Sequence, residues 1–523
     1  MKSCSISHKD INLDLKEDFP MLDKDIVYLD SSNTSLTPNY VIDKINEYLK
    51  NYEYNYNRGN NDLSFKINNE VNITRRLVAE FINANVEEII FTSGATSSAN
   101  IITSDIAFYN LNDNDEILLC NLDHQSTINP WIELQDKFHK FNKNIIINEI
   151  LIDVYGDYLE DDLISKVNDK TKYVILTHVH NVYGLEMNIK ELVKRIKEKN
   201  HNTKIVLDAS QSIGHIKVDV KDLDIDYMYF SGHKMFATTG IGVLYSKGRD
   251  FKEYEKGTPN ILGIISLGSA IEYINKIGIS NIEDYIYKLT RYLYDQLLNI
   301  EKINFNKGIS TCKCLLGYGI ISFRLNEITS DELNDILNDY KIYVRGSNFC
   351  QVGQDNYIRV SLNIYNTKSD VDKLIKVIKH IVNNWGVIFM SRVKVYKTKQ
   401  KDLVLKEVMI HKEFTINEIY EKLKDSVGLT TIYRKIDDLI KEGKVTKYIG
   451  KDNISYYQYL EHCDKDNHFY LRCEKCGDME HIDCDCINEL SNHITGKHNF
   501  TLNKENIVIN GICNKCNNNE KDD

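Results

Sequence analysis

A lysine, a carboxylate and an amide stand in this sequence where they could bind an aromatic aldehyde cofactor. Lys234 follows Ser231, Gly232 and His233 at the end of the apolar strand predicted at Tyr227–Phe230. Desolvation at such a strand end keeps a fraction of the amine neutral and nucleophilic, which suits a lysine that forms a Schiff base. Taken alone, a lysine after a strand is more simply a solvated turn residue.

Asp208 and Gln211 favour the chemical interpretation of the lysine. They follow a second apolar strand, Ile205–Leu207. A carboxylate, an amide and an amine at strand ends match the pyridinium nitrogen, the ring oxygen and the aldehyde of pyridoxal phosphate. The carboxylate would keep the ring nitrogen protonated, so that the ring acts as an electron sink.

A glycine turn after a third strand could bind the cofactor's phosphate. Gly94, Ala95 and Thr96 follow the strand predicted at Glu88–Thr92 and open a helix. Free backbone N–H groups at the start of a helix favour phosphate. On its own this pattern more often marks a helix N-cap.

Asp208-x-x-Gln211 followed by Ser231-Gly-His233-Lys234 resembles the class V aminotransferase family, in particular its cysteine desulfurase and selenocysteine lyase group. The resemblance extends from about Tyr28 to Leu374. It implies an α/β fold, the fold type I of pyridoxal-phosphate-dependent transferases, with a mostly parallel sheet and a small α+β domain. Strands and helices alternate across residues 88–245, which agrees with active-site residues at the carboxyl ends of parallel strands.

The resemblance implies further roles. His124 would stack on the cofactor ring and shuttle protons, Asn181 would bond the ring oxygen or the substrate, and Thr96 would bind the phosphate. Thr258 would reach the phosphate in a neighbouring subunit, which predicts a homodimer. The predicted cofactor-binding residues are Ala95, Thr96, His124, Asn181, Asp208, Gln211, Ser231, His233, Lys234 and Thr258.

The same resemblance implies an activity. Cys350, five positions after Arg345, stands where desulfurases carry a nucleophilic cysteine, although Ser347–Phe349 replaces the family's Gly-His-His. Arg359 would clamp the substrate carboxylate, a task that suits Arg better than Lys. The expected reaction converts L-cysteine to L-alanine and leaves a persulfide on Cys350, whose sulfur passes to an iron–sulfur scaffold or another acceptor. Residues 246–256 are shorter than the corresponding segment of the family.

Two Cys-x-x-Cys pairs near the C-terminus predict a structural zinc site. Cys473 and Cys476 form one pair, and Cys513 and Cys516 form the other. Two such pairs close a tetrahedral four-thiolate site for Zn²⁺. A redox role would need a thioredoxin-like context, which this segment lacks.

Three predicted helices, at 402–411, 415–423 and 428–440, precede a predicted β-hairpin and indicate a winged helix. Together with the cysteine pairs, this segment resembles the ferric uptake regulator family over residues 396–516. The resemblance implies that Tyr433 and Arg434 contact double-stranded DNA and that the last segment forms a zinc-binding dimerisation domain. A protein-docking winged helix remains an alternative. A second, thiolate-rich metal site would use His468, Cys484 and His498.

Length and composition set limits on the whole chain. Its 523 residues exceed one core, and a net charge of −11 argues against a uniformly basic nucleic-acid coat. The absence of a long apolar run or a signal peptide predicts a cytoplasmic protein without a membrane partner. The predicted segments are an N-terminal arm (1–27), a large cofactor domain (28–265), a small domain (266–384), a linker (385–400), a winged helix (401–460) and a zinc-binding domain (461–523).

Two other functions are compatible with these motifs. The chain could be a transcription regulator whose aminotransferase-like part senses the cofactor or an amino acid without turnover. It could also be a pyridoxal-phosphate-dependent lyase or aminotransferase acting on another amino acid. Turnover of L-cysteine separates the first alternative from the enzyme, and dependence on Cys350 separates the second.

Overall fold

The chain forms two compact units, Met1–Asn383 and Asn384–Asp523, in the computed structural model. The residues that the structure describes are 13, 15–153, 155–255, 257–305, 318–346, 356–411, 414–424, 427–442, 444–449, 455–459, 469–475, 479–482, 493–497 and 507–518. Between 385 and 402 only the backbone is described.

A seven-stranded sheet forms the centre of the first unit. Its strands are β2 (Ile89–Thr92), β3 (Glu116–Leu119), β4 (Ile146–Glu149), β5 (Thr171–Thr177), β6 (Lys204–Asp208), β7 (Tyr227–Ser231) and β8 (Gly242–Ser246). Their order across the sheet is β2-β8-β7-β6-β5-β3-β4. Only β8 runs antiparallel to its neighbours, so the sheet is mostly parallel, as predicted.

The strands of this sheet are mostly buried, as in a sheet that is packed on both faces, and helices lie before, between and after them in sequence. The helices are α1 (Asn39–Asn51), α2 (Asp62–Ile82), α3 (Ala95–Ile101), α4 (Phe108–Asn110), α5 (Gln125–Lys140), α6 (Glu160–Lys166), α7 (Ile189–Lys199), α8 (Ile261–Ile277) and α9 (Ile279–Leu298). A π-helical turn, Ile102–Ala107, joins α3 to α4. Trp131 and Leu134 of α5 belong to the same buried core cluster as Tyr229, and the ring centroid of Trp131 lies 5.1 Å from that of Tyr173.

A smaller antiparallel sheet follows, with the order β12-β13-β10-β9. Its strands are β9 (Ile303–Phe305), β10 (Ile320–Leu325), β12 (Arg345–Gly346) and β13 (Ile358–Ser361), and α10 (Ser330–Asp339) lies in sequence between β10 and β12. The first strand of the chain, β1 (Val27–Tyr28), pairs in parallel with β11 (Ile342–Tyr343). Strand β1 therefore pairs with the α+β part of the first unit, and the chain then continues to the central sheet.

The N-terminal segment contains a buried anchor. Phe19 is fully buried, with its ring centroid 4.7 Å from that of Tyr365 and 5.9 Å from that of Phe236. The Tyr273 hydroxyl donates a hydrogen bond of 2.6 Å to Asp18. In its described part, the predicted polar arm is thus packed onto the first unit.

The short segment after β8 is held by a buried ion pair. Two guanidinium nitrogens of Arg75 each lie 2.7 Å from a different carboxylate oxygen of Glu255. The Phe91 N–H donates to the same carboxylate at 2.6 Å. Because β2 is an edge strand, Glu255 satisfies one of the backbone donors that this edge exposes.

The second unit contains a helical part and a three-stranded sheet. Helix α11 (Lys368–Ile410) begins in the first unit and is divided by non-helical Asn384 (φ −122°, ψ 16°), the first residue of the second unit. It leads to α12 (Ile416–Leu423) and α13 (Leu429–Lys441). Strands β14 (Val445–Ile449) and β15 (Ser455–Tyr459) pair as an antiparallel hairpin. The predicted order of three helices and a hairpin is therefore present.

Residues 385–400, which the sequence predicts to be a linker, are helical and belong to α11. The segment contains no proline and a single glycine, Gly386, so nothing in it stops a helix.

Strands β16 (Phe469–Cys473), β17 (Met479–Ile482) and β18 (Ile507–Gly511) form the sheet β17-β16-β18, followed by α14 (Asn514–Asn518). Among the described helices of the chain, none is long and apolar enough to cross a membrane.

Candidate active site and metal cluster

A cavity of about 190 Å³ opens at the carboxyl ends of β5, β6 and β7. It collects residues from the N-terminal turn, the central sheet and the small sheet. They are Ser32, Asn33, Ala95, Thr96, His124, Ser126, Thr177, Val179, Asn181, Asp208, Ser210, Gln211, Ser231, His233, Lys234, Arg345 and Arg359. The structure thus brings together every predicted cofactor and substrate residue among those it describes, except Thr258.

Asp208 is fixed at the end of β6 with its carboxylate facing this cavity. Its two oxygens accept hydrogen bonds from Thr127 Oγ1 at 2.6 Å and from the Ser210 N–H at 2.9 Å. The residue is 6% exposed. Such a carboxylate is held in one orientation and can present a negative charge to a cationic ring atom.

Close backbone packing brings the glycine turn to the end of β7. A side chain at Gly242 would place its Cβ 2.5 Å from Gly94 Cα, so only glycine fits. The Ala95 N–H then donates to Ser231 Oγ at 2.8 Å. Thr96 is exposed at the start of α3 and lines the cavity.

His124 is neutral and has a defined tautomer. Its Nδ1 accepts a hydrogen bond from the Ser126 N–H at 3.2 Å, and Ser126 Oγ lies 2.7 Å from the same atom. The proton of the neutral ring must therefore be on Nε2. Burial and the nearby charge of Lys234 lower the pKa of His124 to about 4.

Arg359 on β13 is buried and oriented by two acceptors. Its guanidinium donates to the Asn181 carbonyl at 3.0 Å and to the Asp30 carboxylate at 3.2 Å. Arg345 on the adjacent strand β12 is its register partner, and both line the cavity. Two cations at one wall can recognise an anionic group.

Two of the predicted cofactor-binding residues, Gln211 and Thr258, make other contacts or lie elsewhere: the Gln211 amide bonds to the backbone, and Thr258 lies outside the cavity. Gln211 Nε2 donates to the Ser32 carbonyl at 2.9 Å, although Gln211 also lines the cavity. Thr258 is exposed before α8 and does not line the cavity of its own chain. Its predicted contact with a neighbouring subunit stays a prediction.

Several residues at the site carried no sequence signal. Ser32, Asn33, Ser126, Thr177, Val179 and Ser210 line the cavity but were not among the predicted site residues, although Ser210 occupies an unspecified position of the Asp208-x-x-Gln211 motif. His180, which had no assigned role, orders the turn after β5. Its Nε2 donates to the Leu122 carbonyl, and its Nδ1 accepts from the N–H groups of Val182 and Tyr183.

Three of the four predicted zinc ligands lie together in the second unit. The sulfur atoms of Cys473, Cys513 and Cys516 all lie within 4.8 Å of one another. The Cys513 N–H also donates to Cys473 Sγ at 3.3 Å. Five predicted residues fall outside the described part of the chain: the metal ligands Cys476, His468, Cys484 and His498, and the nucleophile Cys350.

Helix α13 separates an apolar face from a polar one. Ile432, Ile436 and Leu439 are buried, as predicted from their spacing. Tyr433 is 47% exposed, and Arg434 is also exposed. Both predicted DNA contacts are thus accessible from solvent within their unit.

Sequence comparison finds relatives that cover the first unit. A probable cysteine desulfurase of Staphylococcus epidermidis is 33% identical over 402 residues, which cover 69% of this chain and 95% of that protein. A probable cysteine desulfurase of Staphylococcus aureus is 32% identical over 409 residues, 71% of this chain and 96% of the relative.

Solved structures show the same fold. The apo structure of a cysteine desulfurase from Thermococcus onnurineus is 29% identical and superposes with a TM-score of 0.66, over 71% of this chain and 98% of that one. A cysteine desulfurase from Escherichia coli, 23% identical with a TM-score of 0.64 over 71% and 98% of the two chains, supports the fold alone.

Two families match different parts of the sequence. Residues 393–510 match the ferric uptake regulator family. Residues 27–252 and 249–374 match the aminotransferase class-V family, which is two thirds of the chain. The cavity residues lie within these latter matches, and the chain belongs to the aminotransferase class-V family.

Proposed function

We propose that the first unit is a pyridoxal-phosphate-dependent cysteine desulfurase that converts L-cysteine to L-alanine. The observation that supports this most is the meeting of Lys234, Asp208, His124 and Arg359 in one cavity. These residues come from four separate parts of the chain. The naming of the relatives as probable cysteine desulfurases agrees with it.

The residues of the cavity fit the cofactor. Ser210 Oγ is buried, lines the cavity and has no hydrogen-bond partner within the described residues, as expected for a hydroxyl that serves a ligand. Lys234 would hold the aldehyde, Asp208 the ring nitrogen, and Thr96 the phosphate. The cofactor, when bound, supplies an electron sink for the bonds at the substrate's α-carbon.

His124 would hold a proton at Nε2 for delivery to the substrate. With Nδ1 engaged by Ser126, only Nε2 can exchange a proton with the cavity. Because its pKa is lowered to about 4, the ring is neutral near pH 7, and its Nε2–H can donate a hydrogen bond into the cavity.

Arg359 would bind the substrate carboxylate. The contacts with Asn181 and Asp30 fix the plane of the guanidinium before the substrate arrives. A preoriented fork binds a carboxylate with less entropy loss than a flexible amine does.

Cys350 would then attack the substrate sulfur as a thiolate. A sulfur–sulfur bond forms, the carbon–sulfur bond breaks, and its electron pair stays on carbon, which takes up a proton to give alanine. The persulfide sulfur would pass to an iron–sulfur scaffold protein or another acceptor.

The second unit would be a zinc-stabilised DNA-binding regulator. Cys473, Cys513 and Cys516 are close enough to share one Zn²⁺, and thiolate clusters of this kind suit zinc. We propose Cys476 as the fourth ligand. Tyr433 and Arg434 would contact DNA from α13. We infer a winged helix at 401–460, a zinc-binding dimerisation domain at 461–523 and a homodimer in which Thr258 completes the partner's site. The fusion would connect sulfur supply to metal status.

The test is turnover of L-cysteine by the purified full-length protein. We expect alanine and sulfide in the presence of a reductant, and loss of both with Cys350→Ala. If Cys350→Ala releases as much sulfide and alanine as the wild-type protein, the persulfide step is wrong and a lyase acting without Cys350 replaces it. Cofactor absorbance without any turnover would instead make the first unit a sensor.

A further inference from the structure

We propose that Ser35, which lies outside the cavity, is a positioning residue for Lys234. The inference rests on the proposed function, because it assigns Ser35 to the lysine that would carry the cofactor. Ser35 does not line the cavity, is 2% exposed and lies 198 residues before His233 in the sequence.

Three hydrogen bonds connect Ser35 to both sides of Lys234. The backbone N–H and the hydroxyl of Ser35 both donate to the His233 carbonyl, at 2.8 Å and 2.9 Å. The same hydroxyl accepts from the Phe236 N–H at 2.7 Å. The His233 carbonyl belongs to the peptide bond that joins His233 to Lys234, so one side chain spans the turn on which the lysine stands.

The turn needs this outside support because its own backbone is unfavourable. Phe236 has φ +72°, a left-handed conformation that a bulky side chain rarely adopts. Such a conformation persists only where surrounding contacts hold it. Ser35 supplies the polar contact, and the ring of Phe19, 5.9 Å from that of Phe236 between centroids, supplies the apolar one.

Loss of the Ser35 hydroxyl would therefore act on Lys234 more than on the fold. One donor to His233 and the acceptor for the Phe236 N–H would disappear, and the turn could relax from its left-handed geometry. The lysine amine would then meet the cofactor aldehyde at a changed position. The visible absorbance of the lysine-bound cofactor and its dependence on pH report that position directly.

The experiment compares six full-length proteins incubated with pyridoxal phosphate: wild type, Ser35→Ala, Ser35→Thr, Phe19→Leu, Ser269→Ala and Lys234→Ala. Ser269 is a matched control, since it is 5% exposed and its hydroxyl donates only to the Ile265 carbonyl of its own helix in the described contacts. Each protein is titrated from pH 6 to 10 by its visible spectrum, its cofactor loss is timed after dilution, and its thermal unfolding is recorded without cofactor.

We expect Ser35→Ala to shift the midpoint of the spectral titration by about half a pH unit or more and to lose cofactor severalfold faster. Ser35→Thr, which keeps the hydroxyl, should stay close to wild type. Ser269→Ala should leave both the midpoint and the rate of cofactor loss unchanged. Phe19→Leu weakens the apolar support without removing a hydrogen bond and should shift the midpoint in the same direction as Ser35→Ala. This variant tests the inference if Ser35→Ala does not fold.

An unchanged midpoint and unchanged cofactor loss in Ser35→Ala would overturn the inference, as would an equal shift in Ser269→Ala. These results leave the proposed function intact. The wild-type protein should show a visible absorbance of the bound cofactor that Lys234→Ala lacks. If the two proteins have the same spectrum, the proposed function itself fails, and this inference fails with it.

Discussion

Replacing Glu255 by glutamine should destabilise the first unit by about 3–5 kcal/mol, the usual cost of removing one partner of a buried ion pair. Arg75 is 1% exposed, and both of its bonds to Glu255 are 2.7 Å long, so the variant would leave a buried charge without its carboxylate. The same replacement weakens the contact with the Phe91 N–H on the edge strand. The short segment after β8 would then detach from β2.

The assay is urea unfolding followed by the fluorescence of Trp131. The sequence contains two tryptophans, and Trp385→Phe in all proteins leaves Trp131, 1% exposed in the first unit, as the single reporter. Glu253→Gln is the control, because its pair with Arg249 spans 3.7 Å and Glu253 is 56% exposed. Exposed pairs contribute below about 1 kcal/mol.

The double variant Arg75→Met, Glu255→Gln removes the buried charge as well and should recover part of the lost stability. If Glu255→Gln costs no more stability than Glu253→Gln, or if the double variant is no more stable than Glu255→Gln, the argument from the buried charge is refuted.

Three further predictions concern the site, the pH response and the metal. Arg359→Lys keeps the charge but loses the planar fork, so KM for L-cysteine should rise roughly 10- to 100-fold, equivalent to about 1.5–3 kcal/mol, and an unchanged KM with lowered kcat would contradict the clamp. Burial lowers the pKa values of His178, His180 and His215 to about 4, below their ordinary 6.5, so each withholds a proton that the unfolded chain takes up. Stability should therefore fall as the pH drops from 6.5 toward 4, by about 1.4 kcal/mol per pH unit and histidine, partly offset by Asp123, whose pKa burial raises to about 7; His180→Asn should make this slope shallower in urea titrations. Cys513→Ser should reduce bound zinc, measured by mass spectrometry of the metal, and should loosen the second unit but leave the unfolding of the first unit unchanged.

The sequence predicted those site residues that follow strands directly. Asp208, Ser231 and Lys234 stand at the ends of buried parallel strands, and such ends converge at one edge of a sheet, so their meeting follows from strand order. The face of α13 that packs inward followed equally well from the spacing of its isoleucines.

The contacts made across the chain could not be predicted. Ser35 bonds to His233 and Phe19 packs near Phe236, contacts that depend on where distant segments pack, and neither residue belongs to a motif that predicted the site. The polarity of residues 1–27 concealed the buried Phe19. At 385–400 the composition indicated a linker, and it did not reveal that this segment is helical.

The Asp30–Arg359 pair connects residues 329 positions apart, and β1 completes its pairing only with β11. During synthesis, Asp30 therefore cannot pair with Arg359 until nearly the whole first unit has left the ribosome. Closing so long a loop is slow, because its entropy must be lost before the contact stabilises anything. Because the guanidinium of Arg359 reaches the cavity late in folding, the ability to bind an amino acid substrate should appear in the last kinetic phase of refolding.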